Sequence, residues 1–273
     1  MTQSTMKLPT NALLDAMASK TRHVFITGAS RGIGEATARL LADKNVHMTL
    51  AARSYNRLLG VCMDVGVEKS HAVKLDLVEE QSIDDAITTA ESKFGPIDVL
   101  ICNAGIHEDT PLSDVSAQGR ARFRRVIEVN LVGTYFLAQL ASLHMRPGGR
   151  IIFIGSVLSR VGAPQVNAYA ASKHALMGLT RSMALELAPR NIRVNSVNPT
   201  WVDTDMARAA INRRAEKTGE SVSDVAAKYI GRQPIRRMVK PLEVASYIEF
   251  LMGPGGDAIT GQGIDISCGM VSP

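Results

Sequence analysis

Val24-Phe-Ile-Thr-Gly-Ala-Ser-Arg-Gly-Ile-Gly34 is the stretch that decides the fold. An apolar run, His23–Thr27, enters it; glycines follow at 28, 32 and 34; a helix-period segment near Gly34–Lys44 leaves it. A strand that turns through glycines directly into a helix brings bare backbone N–H groups to one point. The helix N-terminus adds partial positive charge there, so the turn suits a pyrophosphate. The spacing is G-x-x-x-G-x-G rather than the G-x-G-x-x-G dinucleotide fingerprint, but the physics is similar. Taken alone, the turn could equally be a tight connection.

Working outward, short apolar strands alternate with helix-period segments. The strands read as His23–Thr27, His47–Ala51, His71–Leu75, Ile97–Cys102, Arg150–Gly155, Arg193–Asn198 and Gly263–Ile266. Helices are expected near Gly34–Lys44, Glu79–Phe94, Ala121–Met145, Ala168–Ala188 and Leu242–Met252. This alternation predicts an α/β fold: a doubly wound parallel sheet covered by helices on both faces, with right-handed crossovers. No composition shift marks a second domain, so residues 21–273 read as one. Asp203 to Arg237 breaks the rhythm with two helix-like pieces and no strand. Following the sixth strand, it would lie beside the carboxyl ends of the sheet, where ligands bind, as a small helical lid. Residues 1–20 read as a polar tail, with Leu13, Leu14 and Met17 forming a short docking turn.

Composition narrows the class. The chain has 273 residues, 45% of them hydrophobic, enough for one sizeable core. No uninterrupted apolar run reaches the roughly 18 residues of a membrane span, and the N-terminus has neither a secretion signal nor an arginine-rich leader. The three cysteines, Cys62, Cys102 and Cys268, have no metal-ligand spacing and read as reduced thiols of a cytoplasmic protein. The net charge of +5 favours anionic ligands. Aromatic residues make up only 4%, with no basic run interleaved with them, so a phosphate-bearing cofactor is expected rather than nucleic acid.

Two further features carry chemistry. Tyr169 and Lys173 stand four apart in Ala168-Tyr-Ala-Ala-Ser-Lys173, on one helix face, with Ser156 at the end of an apolar strand upstream. An ammonium beside a phenol is expected to lower the tyrosine pKa from about 10, making a proton donor and acceptor for a carbonyl oxygen. The plain alternative is a surface pair worth ~0.2–0.5 kcal/mol. The second strand then ends Leu50-Ala-Ala-Arg-Ser54. Ala52 stands where an NAD site usually has an acid, and Arg53 follows, with Arg31 in the glycine loop. Two guanidiniums without an acid suit a 2′-phosphate, so NADP(H) is expected over NAD(H), which is still possible. Asp76 is placed either to accept from an adenine amine or to cap the next helix.

Thr27–Gly34, Asn103-Ala-Gly105, Asn130, Ser156, Tyr169 with Lys173, and Asn198-Pro199 fall in one order and spacing. As a set they resemble the short-chain dehydrogenase/reductase family, over about residues 22 to 268. The resemblance implies a Rossmann-type fold in three αβα layers around a seven-stranded parallel sheet, a nicotinamide cofactor and a homotetramer or homodimer. It implies Tyr169 as general acid/base, and Lys173 as the residue that tunes it and holds the ribose. Ser156 would bond the substrate oxygen, and Asn130 would hold a relay water. The cofactor set expected is Gly28, Ser30, Arg31, Gly32, Ile33, Gly34, Arg53, Ser54, Asp76, Leu77, Asn103, Ala104, Gly105, Tyr169, Lys173, Pro199, Thr200, Val202 and Thr204. Ser156, Tyr169, Trp201 and Met206 would meet the substrate. The chain departs from the family pattern at Cys102, usually Asn; at Thr200, usually Gly; and at Asp265-Ile-Ser-Cys-Gly-Met270, usually an acid followed by two glycines.

The activity expected is NADPH-dependent reduction of a ketone to a secondary alcohol. The late segments around Gly231–Val244 and Gly253–Gln262 resemble β-ketoacyl and polyketide ketoreductases, which points to a 3-oxoacyl thioester on CoA or an acyl carrier. Arg208, Arg213, Arg214 and Lys217 on the lid could meet its phosphates, or form a solvated helix face. Oxidation of a secondary alcohol, sugar or cyclic diol is the alternative. A non-catalytic dinucleotide sensor would show a broken Asn–Ser–Tyr–Lys set, and here all four are present.

Overall fold

The computed structural model describes residues 21–271; the expected tail over 1–20, with its docking turn, lies outside them. Seven strands form one parallel sheet: β1 (Arg22–Thr27), β2 (Val46–Ala52), β3 (Ser70–Lys74), β4 (Val99–Cys102), β5 (Arg150–Ile154), β6 (Arg193–Pro199) and β7 (Gly263–Ile266). Their order is β3-β2-β1-β4-β5-β6-β7, so the direction of winding reverses between β1 and β4. In open α/β sheets ligands bind at that reversal, outside the strand carboxyl ends.

The period-2 alternation of the strands sorts side chains into two layers. Val24 and Ile26 of β1, with Ile152 and Ile154 of β5, face one core. That core is completed by α1 (Gly32–Leu41), α2 (Tyr55–Val65) and α9 (Pro241–Met252). Phe25 of β1, with Ile151 and Phe153 of β5, faces the other. There α3 (Glu80–Phe94), α5 (Gly133–His144) and α6 (Asn167–Leu187) cover the sheet. The three αβα layers follow directly from this sorting.

Two differences from expectation matter, and one expectation, the two-helix segment after β6, is met. Helix α2 lies where no helix was expected. Its buried Leu58, Val61, Cys62 and Val65 recur at i, i+3, i+4 and i+7, a helical stripe interrupted by the poor helix former Gly60. The long helix expected over 121–145 starts earlier, as α4 (Ala117–Ile127), and is joined to α5 by a π-turn at Glu128–Val132. By length and composition this run, Ala117–His144, is the described helix apolar enough to cross a membrane; half of its most apolar window is buried in the fold. The segment after β6 folds as α7 (Asp205–Thr218) and α8 (Val222–Ile230). Its two ends are pinned together: Asp203 N donates to Val239 O at 2.9 Å and Val239 N to Trp201 O at 2.8 Å. A satellite core of Ile211, Ala215 and Val225, packed on Trp201 and Tyr229, holds it.

Candidate active site

The glycine turn is built by close approach. Gly28 has a left-handed φ of +65°, and a Cβ there would lie 2.8 Å from Asn103 Nδ2. Gly34 sits on the Gly28 carbonyl, where a Cβ would be 2.5 Å from the oxygen. The buried Thr27 hydroxyl accepts from the backbone N–H groups of Asn103 and Ala104, both at 2.9 Å. Asn103 Nδ2 donates back to Thr27 O at 2.9 Å and Gly28 O at 3.2 Å. The turns after β1 and β4 are thereby sewn into one floor. No side chain caps α1, which leaves its N-terminal N–H groups beside the cleft, where Gly32 and Ile33 form part of the wall. A bare backbone cradle at a helix N-terminus fits a pyrophosphate.

At the adenosine end, Ala52 closes β2 and Arg53, Ser54 and Arg57 line the cleft. Arg57, from the first turn of α2, is a third guanidinium that sequence reading missed because it missed the helix. Arg31 pairs with Asp205 of the lid at 3.7 Å, and both are well exposed. Asp76 lines the cleft, but it does not cap α3: the N-cap is Glu79, while Asp76 Oδ1 accepts from Val78 N at 3.2 Å.

Ser156 ends β5 as the cap of a short 3-10 turn, its Oγ accepting from Leu158 N at 3.1 Å. That contact occupies a lone pair, and the hydroxyl hydrogen is left to face the Tyr169 phenol. Tyr169 and Lys173 share the inner face of α6, as the spacing predicts. Their electrostatics differ from expectation. Lys173 Nζ donates to Ile154 O at 2.7 Å and stands 5.5 Å from the Tyr169 ring centroid. Burial pushes the Tyr169 phenol up to about 12, opposed only by its hydrogen bond with Ser156. Burial likewise pushes Lys173 down to about 8. The expected lowering of the tyrosine pKa is therefore corrected: desolvation of the phenolate outweighs an ammonium that is turned to a carbonyl.

Asn130 sits in the π-turn, fully buried, and does not line the cleft. Its Oδ1 accepts from Ile106 N at 2.8 Å, and its Nδ2 donates to Ile106 O at 2.9 Å and Ser172 Oγ at 3.3 Å. The amide clamps the loop after β4, and Oδ1 keeps a second lone pair. Cys102 is buried, as expected of a small hydrophobe, with its thiol pushed far up by burial.

The substrate end lies under the α7–α8 segment. Trp201 stacks on Tyr229 of α8, centroids 4.6 Å apart, and Met206 is 37% exposed at the rim. Thr200 Oγ1 donates to Met270 Sδ at 3.1 Å, so the C-terminal segment closes the wall beside it. The four cations considered for an acyl-carrier phosphate all have partners within the chain. Arg208 pairs with Asp203, Arg213 bonds His107, Arg214 donates to Gln165 Oε1 at 3.3 Å, and Lys217 pairs with Asp109. Gln165 itself holds a left-handed φ of +70°, strain of a kind that clusters at functional sites.

Every residue selected for proton transfer, cofactor or substrate wall except Gly34 and Asn130 lines one continuous cleft of about 740 Å³, and those two support its wall from behind; of the four candidate phosphate cations only Arg214 lines it. Sequence reading missed Arg57, Tyr229 and Met270. A helical stripe at 58, 61, 62 and 65 announced the helix bearing Arg57; nothing local announced the other two.

The short chain dehydrogenase family model matches residues 22–215. The 3-oxoacyl-acyl-carrier-protein reductase MabA of Mycobacterium tuberculosis is 34% identical over 251 residues, covering 91% of this chain and 92% of its own. A cis-4-hydroxycyclohexanecarboxylate dehydrogenase of Sinomonas cyclohexanicum is also 34% identical, over 245 residues, 88% of this chain and 92% of its own. Among solved structures, a point variant of the actinorhodin polyketide ketoreductase with NADPH superposes with a TM-score of 0.84 at 28% identity, covering 92% of this chain and 97% of that one. With a family match over more than half its length and relatives this similar end to end, the chain belongs to the short-chain dehydrogenase/reductase family and is an oxidoreductase.

Proposed function

We propose that the protein reduces a ketone to a secondary alcohol with NADPH, with a 3-oxoacyl thioester as the substrate class. The observation that carries this reading is the meeting of Ser156, Tyr169 and Lys173 in the same cleft as the glycine turn. Burial keeps the Tyr169 phenol protonated at neutral pH, the form that can protonate a carbonyl oxygen as it gains charge. When bound, the dinucleotide would supply the hydride to the carbonyl carbon. The protein then does the rest. Gly28, Gly32 and the N-terminus of α1 would hold the pyrophosphate, and Asn103 to Gly105 the floor beneath it. Ser156, its lone pair taken by Leu158 N, donates to the carbonyl oxygen. Tyr169 donates its proton to the same atom, and the Lys173 ammonium, within 5.5 Å of that ring, stabilises the phenolate left behind. Arg53 and Arg57, with Ala52 where an acid would repel, favour the 2′-phosphate. The α7–α8 segment, about residues 203–237, acts as a lid, and a homodimer or homotetramer is the expected assembly, to be read by light scattering.

The similarity to a 3-oxoacyl-acyl-carrier-protein reductase and a polyketide ketoreductase supports the thioester. A second reading, oxidation of a cyclic secondary alcohol, draws on the equally similar cyclohexanecarboxylate dehydrogenase. The deciding assay follows NADPH at neutral pH with acetoacetyl-CoA, and NAD+ and NADP+ with cis-4-hydroxycyclohexanecarboxylate. Rapid NADPH oxidation with the thioester is expected. Turnover of the hydroxy acid alone, with NAD+, would reverse the assignment.

A further inference from the structure

His107 follows the loop that lines the cofactor floor, and its ring packs edge-on against Tyr169, centroids 4.9 Å apart and planes at 61°. It lines the cleft beside the phenol. Arg213 of α7 reaches over from the lid, its Nη2 lying 3.2 Å from His107 Nδ1 and 3.3 Å from His107 O. A guanidinium has only donors, so Nδ1 of the imidazole must be the acceptor. The ring is then neutral and carries its hydrogen on Nε2. Burial and the neighbouring Arg213 cation both oppose a second proton, against the weaker pulls of Asp109 and of the residue's own backbone carbonyl. The result is a fixed N–H donor with no protein partner among the described residues, in the cleft and one ring away from the acid.

We infer that His107 is a specificity-determining residue, whose Nε2–H binds a second oxygen two carbons from the reacting carbonyl and so selects 1,3-dicarbonyl substrates over plain ketones. The two oxygens of such a compound lie roughly 3 to 5 Å apart by ordinary bond lengths. Other donors line the same cleft, among them the Trp201 indole, Gln165 and Arg214, but among these residues His107 is the one whose ring packs on that of Tyr169. Arg213 is a positioning residue: it touches no substrate atom in this scheme and sets the tautomer from the lid. The inference rests on the reductase reading and narrows its substrate class by the chemistry of the second carbonyl, independent of any carrier phosphate.

The test compares ethyl acetoacetate, a 3-oxo ester without a carrier, with 2-hexanone, a plain ketone. The full-length chain is assayed with NADPH, and the quantity read is the ratio of the two kcat/KM values. A site built around a hydrogen bond rejects the analogue that lacks the partner, so His107→Phe should lower the preference for the 3-oxo ester by roughly 10- to 100-fold. His107→Gln, which keeps an N–H donor at similar reach, should retain most of it. His107→Leu repeats the comparison with a smaller side chain should the phenylalanine variant not fold. An unchanged ratio in the Phe and Leu variants, or a Gln variant that behaves like them, overturns the role of His107 and leaves the reductase reading standing. A wild-type protein inert towards both ketones overturns the reductase reading, and the inference with it.

Discussion

Thr27→Val is the substitution that most directly tests how the cofactor floor is held. The change is nearly isosteric, so packing is conserved and only the hydroxyl is lost. Thr27 is 1% exposed, and its Oγ1 accepts from Asn103 N and Ala104 N and donates to Ile101 O at 3.3 Å. The three bonds are not equal. Asn103 N has a second acceptor in Ile101 O at 3.1 Å, and Ile101 O keeps that donor. Ala104 N has no second acceptor among the described residues. One backbone donor is therefore orphaned, at about 1–3 kcal/mol, and one bond is weakened, at about 0.5–1.5 kcal/mol. The sum, about 1.5–4.5 kcal/mol, should lower Tm by roughly 3–18 °C for a chain of this size. Thr27→Ser keeps the hydroxyl and loses a methyl, which should cost only about 1 kcal/mol. Thermal unfolding followed by circular dichroism reads both, and NADPH fluorescence should show weaker binding in the valine variant. If serine proved as damaging as valine, methyl packing and not the hydroxyl would hold the floor, and the reasoning would fail.

Further expectations concern the chemistry. Tyr169→Phe should lower ketone turnover by about 10²–10⁴-fold while NADPH fluorescence titration shows binding little changed; comparable turnover would remove Tyr169 from the proton path. Lys173, held near 8, should lose its charge as pH rises, so the reduction rate should fall above about pH 8, and a flat profile to pH 10 would show that the ammonium is not required. The same depressed value bears on stability with a defined sign. The unfolded lysine still binds its proton between pH 8 and its ordinary value near 10.5 while the folded one does not, so this residue's contribution rises with pH across that window; urea titrations of wild type and Lys173→Met should differ in slope there. Arg53→Ala combined with Arg57→Ala should shift the ratio of NADPH to NADH kcat/KM by at least tenfold toward NADH, since two cations facing a 2′-phosphate are removed.

The sheet was legible because its strands are buried on both faces and read as short apolar runs, each ending in a turn residue. The site was legible where chemistry depends on spacing along one element: Tyr169 and Lys173 on α6, and the glycines around Gly28. It was not legible where partners meet across the fold. Arg213 reaches His107 and Lys217 reaches Asp109 over more than a hundred residues, and no periodicity encodes such a pair. Asn130 stands out in the sequence as a mid-helix amide, but the π-turn that turns it onto Ile106 has no local pattern. Helix α2 was lost for a different reason: Gly60 lowers its intrinsic propensity, and the four apolar contacts with the sheet side of the core override that.

The tyrosine and lysine show why a motif fixes neighbours but not pKa values. Burial works against the phenolate of Tyr169, and an ammonium beside the ring works for it. The protonation of Tyr169 therefore depends on where Nζ points. Here it points at Ile154 O, and desolvation wins. A shift of that one side chain toward the phenol oxygen would tip the balance to the phenolate, which is the form alcohol oxidation needs. On the proposed mechanism, the Ile154 carbonyl and the phenol compete for a single ammonium. The i, i+4 spacing brings that competition about without deciding it.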